Sequence, residues 1–229
     1  MADGSFIGNR LKLGLSIKDY NLLEKFYKFI DSDNSIRHNN ISCEFSVMDS
    51  YTIPLLREKF GINPRKTYYP PKTLLWMEPD LMYSFIIGFI DGDGSIGYQY
   101  KRSDVSLRIK IHKNWLYILN EISVFLSKKS NVPIVKAKIN NQGYANINLT
   151  NHILLKSLKN KILELKLPYL KRKWDVIDEN HINKNEQAKI NLENVKHLMS
   201  LEYSNKMISE KLDMKPATIY MIQKRNGLK

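Results

Sequence analysis

The sequence predicts an α+β chain: two αββαββα-like repeats, each building an antiparallel sheet, followed by a small all-α tail. Three observations predict it. Short segments recur along the chain at offsets that only grow. Within the recurring segments the apolar residues switch between a period of two and a helical period. From about Asn185 the strand period is gone and only short apolar helical segments remain.

The segment Asp3-Gly4-Ser5-Phe6-Ile7-Gly8 returns as Asp93-Gly94-Ser95-Ile96-Gly97, at an offset of 90. Leu11, Leu13, Leu15, Leu23, Phe26, Phe29 and Ile30 find apolar counterparts in Leu107, Ile109, Ile111, Leu119, Ile122, Phe125 and Leu126, at an offset of 96. Val47, Asp49, Ile53, Leu56 and Phe60 meet Leu149, Asn151, Leu155, Leu158 and Ile162 at 102, and Arg65-Lys66 meets Arg172-Lys173 at 107. Offsets that grow only between elements are what loop insertions leave in a duplicated domain. Each unit therefore reads as strand, strand, helix, strand, strand, helix.

The individual elements support this order. Leu107, Ile109 and Ile111 alternate with Arg108, Lys110 and His112, the mark of a half-buried strand. Leu116, Leu119, Ile122, Val124, Phe125 and Leu126 follow at roughly helical spacing. A second hairpin is expected from about Ile134 to Leu149, turning at Asn140-Asn141-Gln142-Gly143, with Ala145, Ile147 and Leu149 inward and Lys136, Lys138, Tyr144, Asn146 and Asn148 outward. In the first unit Ile41, Cys43, Phe45 and Val47 form the matching inward stripe, opposite Ser42, Glu44 and Ser46. The domain limits expected are 1–78, 79–184 and 185–229.

Composition narrows the function classes. The chain has 229 residues, 36 basic against 23 acidic, a net charge of +13 and one cysteine. Its longest apolar run, near Phe85 to Ile90, is too short to span a bilayer, and the N-terminus has no secretory pattern. Cys43 alone forms no internal disulfide, which fits a reducing intracellular compartment: bacterial or phage-infected cytoplasm, or an organelle matrix. The positive charge points to a polyanion, nucleic acid before membrane. It is concentrated in 80–184, at +8, against +2 for 1–79 and +3 for 185–229. An antiparallel sheet needs only one apolar face, so the other is free to carry Lys, Arg and Asn, which donate to phosphates and read base edges.

Glu78-Pro79-Asp80 is a helix start, with proline near the first helical position and acids at the positive end of the dipole. Leu81, Phe85 and Phe89 give an apolar stripe, while Ser84 and Gly88 leave a groove for a second helix backbone. The helix ends in Ile86-Ile87-Gly88-Phe89-Ile90-Asp91-Gly92-Asp93-Gly94. This nonapeptide resembles the LAGLIDADG motif of the homing endonucleases, identical at Gly88, Ile90, Asp91, Asp93 and Gly94. The flanking helix, the following Ser-Ile strand and the αββαββα-like repeat extend the resemblance over both units.

The resemblance implies a metal-dependent DNA endonuclease. Asp93 is then the metal-binding carboxylate of the second motif and Asp3 its partner from the first, holding Mg²⁺ or another divalent cation such as Mn²⁺. Asp91 is read as a helix-end acid held by local hydrogen bonds. The basic residue that family members place beside the metals matches Lys173 in Pro168-Tyr169-Leu170-Lys171-Arg172-Lys173-Trp174 and, more weakly, Lys66 in Pro64-Arg65-Lys66-Thr67, each at the start of its unit's last helix. Expected DNA contacts are Arg10, Lys12, Arg37, Arg108, Lys110, His112, Lys136, Lys138, Asn146, Asn148, Lys171 and Arg172. The first motif departs from the family: only Ala2-Asp3-Gly4 stands where a whole helix is expected. A coding start further upstream, a decayed copy, or pairing of two chains through their 81–90 helices would each account for it, and the first is favoured.

In the tail, Val195, Leu198 and Met199, then Met207, Ile208 and Leu212, then Ile219 and Ile222 outline three short helices, broken at Asp213-Met214-Lys215-Pro216. This resembles a helix-turn-helix, with Ser204 capping the middle helix, Pro216 opening the last and Gly227 following it. Thr218, Tyr220, Gln223, Lys224 and Arg225 are expected to face a groove or phosphates. The combined expectation is a monomeric, site-specific double-strand DNA endonuclease, a homodimer if the first helix is truly lacking. The alternatives are an RNA maturase that binds its intron RNA, and a non-catalytic DNA-binding protein. Heavy use of Asn, Lys and Ile points to an AT-rich genome.

Overall fold

The computed structural model describes residues 4–31, 33–61, 65–98, 105–177 and 184–228, with 184–186 described by backbone alone. The chain divides into two compact units, Met1–Glu179 and Asn180–Lys229.

The first unit holds both repeats. The first repeat runs β1 (Gly4–Ile7), β2 (Arg10–Ser16), a 3-10 turn (Ile17–Asp19), α1 (Tyr20–Ile30), β3 (Arg37–His38), β4 (Ser42–Met48) and α2 (Thr52–Phe60). The second runs α3 (Pro79–Asp93), β5 (Gly94–Tyr98), β6 (Val105–His112), a 3-10 turn (Lys113–Trp115), α4 (Leu116–Ser130), β7 (Lys138–Ile139), β8 (Tyr144–Leu149), α5 (His152–Glu164) and α6 (Lys171–Trp174). Both form four-stranded antiparallel sheets with the same order, β1-β2-β4-β3 and β5-β6-β8-β7. Identical strand order is the structural counterpart of the sequence repeat.

Local chemistry explains the matching boundaries. Asp31 after α1 and Asn131 after α4 both take left-handed backbone, at φ of 51° and 50°, a conformation Asp and Asn tolerate better than other side chains. Asp49 accepts hydrogen bonds from the backbone N–H of Tyr51 and Thr52 at 2.8 and 2.6 Å, and its counterpart Asn151 accepts from Leu154 at 3.1 Å. Each satisfies donors that the start of the following helix leaves without partners.

Register sorts the two faces of each sheet. Leu13 faces Gly4 and Phe45, and Leu15 faces Cys43, on the apolar side of the first sheet. Leu107 pairs with Leu149, Ile109 with Ile147 and Ile111 with Ala145 on the apolar side of the second. Around the second set lies the main core, which also takes in Ile86, Phe89, Ile90, Trp115, Leu119, Leu155, Leu158 and Trp174. Cys43 is buried as expected, its thiol against the carbonyls of Ser16 and Leu15 at 3.4 and 3.7 Å.

Three expectations on this unit need correction. Ile41 lies outside the core, 80% exposed, because β4 begins one residue later and the Ile41 carbonyl is instead taken by the N–H of Ile17. Lys136 precedes β7, which is only two residues long, so it is on the approach to the sheet and not on a strand. Lys66 sits in a turn at 65–68; the short helix that carries Lys173 has no helical counterpart there among the described residues.

The second unit comprises α7 (Lys184–Ser200), α8 (Asn205–Leu212) and α9 (Pro216–Arg225). Val195, Leu198, Ile208 and Ile219 form its core. Ser204 caps α8 by accepting from the N–H of Met207 at 3.4 Å, and Pro216 stands in the first turn of α9. The first helix is longer than the sequence pattern predicts, at 17 residues. Its N-terminal part carries few apolar residues, so periodicity gives no sign of it.

Candidate active site and nucleic-acid interface

The centre is built at the C-terminal end of α3. Glu78 precedes the helix in extended backbone, Pro79 opens it, and Gly94 closes it while starting β5. Gly94 has a steric reason: a Cβ there would lie 2.7 Å from the Ile90 carbonyl oxygen and 2.9 Å from the Ile90 Cα. The last helical turn thus carries Asp91 and Asp93 against the negative end of its dipole, an unfavourable placement unless cations offset it.

Lys173 supplies one. Its Nζ donates to the carbonyls of Ile90 at 3.1 Å and Gly94 at 2.7 Å, and to that of Asp91. The ammonium therefore caps the helix end on both sides of Asp93 in sequence. Lys66 makes the matching bond to the carbonyl of Gly4. Gly4 and Gly94, like Lys66 and Lys173, are counterparts in the two repeats, so one lysine–glycine contact occurs twice. Each glycine directly follows one of the two expected metal ligands. Asp93 is exposed, whereas Asp3 lies outside the described residues.

Asp91 has a different environment. It is buried, and its Oδ1 accepts from the indole N–H of Trp174 at 2.7 Å while Oδ2 accepts from the N–H of Leu170 at 3.1 Å. Burial pushes its carboxyl above the ordinary aspartate range, against the opposing pull of the Trp174 and Leu170 donors and the charges of Lys173 and Arg172. With both oxygens occupied it fastens α6 to the end of α3.

The donor set can be tested against a hard divalent cation. Among the described residues no group of three His, Cys, Asp or Glu side chains gathers in one place. An all-protein cage for Zn²⁺ or Ca²⁺ is therefore not formed by them. Mg²⁺ takes one or two carboxylates and completes its shell with water and substrate phosphate. The exposed carboxylate of Asp93 fits that second pattern.

The polar sheet faces lie as the alternation predicts. Arg108 pairs in register with Ser95 and Asn148, and Lys110 with Asn146, whose other neighbour is Lys138. Arg108, Lys110, Lys138 and Asn148 are exposed. Lys110 is ordered by Gln142, at 2.8 Å, and lies over the Tyr144 ring at 4.6 Å. His112 ends the strand: its Nδ1 accepts from the N–H of Asn114 at 3.4 Å and its ring meets Tyr68 edge-on. On the first sheet Arg10 shares a row with Ile7 and Met48, Lys12 with Ser5 and Ser46, and Arg37 with Glu44. Glu44 forms a 2.5 Å ion pair with Lys12.

Of the remaining expected contacts, Lys171 is exposed on α6. Arg172 is also exposed, and its guanidinium forks onto the Asp19 carboxylate with three contacts of 2.9 to 3.2 Å. In the tail, Thr218, Tyr220, Lys224 and Arg225 are exposed on α9. Gln223 is not: it is 3% exposed and exchanges amide hydrogen bonds with Asn205 at 2.7 and 3.2 Å. Sequence reasoning missed Asp19, Trp115 and Trp174 as holders of the lysine-bearing segments. Asp19 and Trp115 align at the same offset of 96 as their flanking strands, and that alignment is the only mark they leave in the sequence.

Beside this centre is an open apolar cavity of about 380 Å³. Its walls are the first sheet (Phe6, Leu11, Leu13), α1 and α2 (Phe26, Leu56), and the face of α3 carrying Ser84 and Gly88. A Cβ at Gly88 would meet nothing within 4 Å. The groove expected between small residues on α3 and a second helix is therefore present, and among the described residues no helix lies in it.

Two sheets of identical order, a helix ending in an acidic nonapeptide, and lysines bound beside the acids define a duplicated α+β fold with a carboxylate–lysine centre. The sequence matches no protein-family model and no curated protein. Among solved structures the chain is similar to the LAGLIDADG homing endonuclease I-GzeII in complex with its DNA target, at 13% identity over 79% of this chain and 85% of that one, with a TM-score of 0.46. It is also similar to the LAGLIDADG meganuclease I-CpaMI bound to uncleaved DNA, at 13% identity over 93% and 94%, with a TM-score of 0.43. A third similarity is to the I-SmaMI LAGLIDADG homing endonuclease bound to cleaved DNA, at 14% identity over 86% and 88%, with a TM-score of 0.46.

Proposed function

We propose that the chain is a site-specific endonuclease of the LAGLIDADG type that hydrolyses one phosphodiester on each strand of duplex DNA. The observation that carries this reading is the repeated lysine–glycine contact, Lys173 to Gly94 and Lys66 to Gly4, beside the acids of two related motifs. A lysine that served only to cap the end of α3 has no reason to recur at Gly4, where β1 starts and no described helix ends.

The polar faces of the two sheets take the DNA. Arg10, Lys12, Arg108, Lys110 and Lys138 contribute phosphate or base-edge contacts, and Asn146 and Asn148 can read adenine with paired donor and acceptor. Association is then steeply salt-dependent, since each neutralised phosphate releases counterions. Asp93 and Asp3 would hold Mg²⁺, which when bound polarises the phosphoryl oxygens and lowers the pKa of coordinated water. Lys173 and Lys66 place positive charge where the phosphorane accumulates negative charge, and their carbonyl contacts hold them there before substrate arrives. Asp91 takes no part in metal binding. Lys171 extends the phosphate-binding surface, and exposed Thr218, Lys224 and Arg225 on α9 add contacts outside the main site.

A direct test is incubation with a randomised duplex library and Mg²⁺, followed by sequencing of the ends produced. The expected result is a single enriched motif with paired cuts, abolished by a chelator. Unbroken DNA at every protein concentration, or accelerated intron splicing in place of cutting, contradicts the reading.

A further inference from the structure

Each lysine-bearing segment is held by a turn from the opposite repeat. Asp19 ends the 3-10 turn between β2 and α1 of the first repeat, and its buried carboxylate receives Arg172 Nε at 3.0 Å and Nη2 at 2.9 Å. Arg172 is the immediate neighbour of Lys173 in the second repeat. In the other direction, Trp115 ends the equivalent turn of the second repeat, and its indole N–H donates to the carbonyls of Lys66 at 3.2 Å and Thr67 at 3.1 Å. Asn114 beside it donates to the Tyr68 carbonyl at 2.7 Å, and the Tyr117 hydroxyl to that of Pro71 at 2.5 Å.

The chemistry differs in the two directions, a charged fork in one and backbone carbonyls in the other, yet the geometry is the same. Asp19 and Trp115 are repeat counterparts, as are Arg65-Lys66 and Arg172-Lys173. A duplicated domain that packed only through apolar surface has no need to keep such reciprocal polar contacts.

We propose that the lysines are cross-positioned: Asp19 of the first repeat sets Lys173 of the second through Arg172, and Trp115 of the second sets Lys66 of the first through the backbone of 66–67. Asp19 and Trp115 are positioning residues, and neither touches the reacting groups. Damage on one side is then read out on the other. The functional part rests on the reading of Lys66 and Lys173 as the basic residues of two centres; the positional part does not.

The test uses the whole chain carrying Asp19→Asn or Trp115→Phe. The second keeps an aromatic ring in the place where Trp115 stacks on Phe89, and removes the indole N–H together with the volume of its second ring. Reductive methylation of lysines, followed by mass spectrometry, reads how firmly each ammonium is held. Asp19→Asn is expected to raise the labelling rate of Lys173 about threefold or more with Lys66 unchanged, and Trp115→Phe to do the reverse. Equal changes at both lysines, no change at either, or effects confined to the mutated repeat overturn the proposal. Should either variant fail to fold, Arg172→Gln and Asn114→Ala probe the same two braces from exposed positions.

On a DNA site cut by the wild type, strand-resolved kinetics carry the inference into function. The two variants should accumulate nicks in opposite strands, whereas simple destabilisation slows both strands alike. Failure of the wild type to cut any duplex counts against the proposed activity, and the labelling pattern still decides the bracing.

Discussion

In the second repeat α3 lies against β5, β6 and α5, and its Phe85 stacks on Phe89, which in turn stacks on Trp115. The sheet beneath is closed: Leu107, Ile109, Ala145, Ile147 and Leu149 are all buried. In the first repeat the equivalent sheet face has α1 and α2 beside it but no described helix in the place α3 occupies, and Leu11, Leu13 and Leu15 remain half-exposed along the cavity. Among the described residues its buried cluster is Leu23, Cys43 and Phe45. Among the described residues this contrast shows what α3 contributes: it covers the sheet and delivers the acidic end. Net charge follows the same division, with +8 on 80–184 against +2 on 1–79.

Matched truncations sharpen this contrast most. Leu158 is buried and its counterpart Leu56 lines the cavity. Leu158→Ala should cost about 2–5 kcal/mol, as for a core leucine, and Leu56→Ala roughly 1 kcal/mol or less, because no closed site collapses around it. Chemical denaturation of the two variants gives the comparison; equal costs would mean that the first repeat is as well packed as the second.

The cavity itself can be filled. Joining a second copy of residues 79–93 ahead of Gly4 places an apolar helix where the first sheet is open. Burial of the half-exposed leucines is expected to add on the order of 3 kcal/mol and to raise Tm by roughly 6–12 °C. An unchanged Tm would show that the cavity does not accept a helix.

Two glycines on α3 give a smaller and opposed pair of effects. Gly88→Ala should stabilise the chain by about 0.5–1 kcal/mol, since alanine favours the helix and its Cβ meets open space. Gly94→Ala should destabilise by about 1–3 kcal/mol, because its Cβ lies against the Ile90 backbone. A destabilising Gly88→Ala would place another helix directly over α3. Thermal melts read both.

The smallest effect concerns the helix caps. Asp49 is held below the usual carboxylate range by the N–H groups of Thr52 and Tyr51. A depressed folded pKa gives stability that is present above the unfolded value, about 3.9, and lost as pH falls through the folded one. Its counterpart Asn151 does not titrate. Asp49→Asn should therefore flatten the acid limb of a Tm-versus-pH curve slightly, while Asn151→Asp should steepen it.

Much of this was legible in the sequence because it is local or periodic. Alternation at Leu107, Ile109 and Ile111 marks a strand, Glu78-Pro79-Asp80 marks a helix start, and Ser204 and Pro216 mark caps. The repeat offsets carry the topology, since the same order of elements had to fold twice. The parts that escaped depend on partners distant in the chain. Arg172 reads as a phosphate ligand by composition, and only the structure shows its guanidinium forked onto Asp19, 153 positions away. Gln223 looks groove-facing until Asn205 is found beside it. Ile41 continues an alternating pattern past the point where β4 starts, so periodicity overruns the element. Asp91 was legible as a hydrogen-bonded helix-end acid, but its bonds are not local: Leu170 and Trp174, 79 and 83 positions away, fasten it.

The most direct measurement is cleavage by Asp93→Asn compared with the wild type, at matched DNA binding and saturating Mg²⁺. The substitution removes a charge from the exposed carboxylate and leaves the Lys173 contacts to the Ile90 and Gly94 carbonyls in place. The account predicts binding within about threefold of wild type and a loss of cutting of roughly 10³-fold or more, as for removal of one charged group from a catalytic centre. Cleavage at an undiminished rate would place the chemistry elsewhere in the molecule and contradict it.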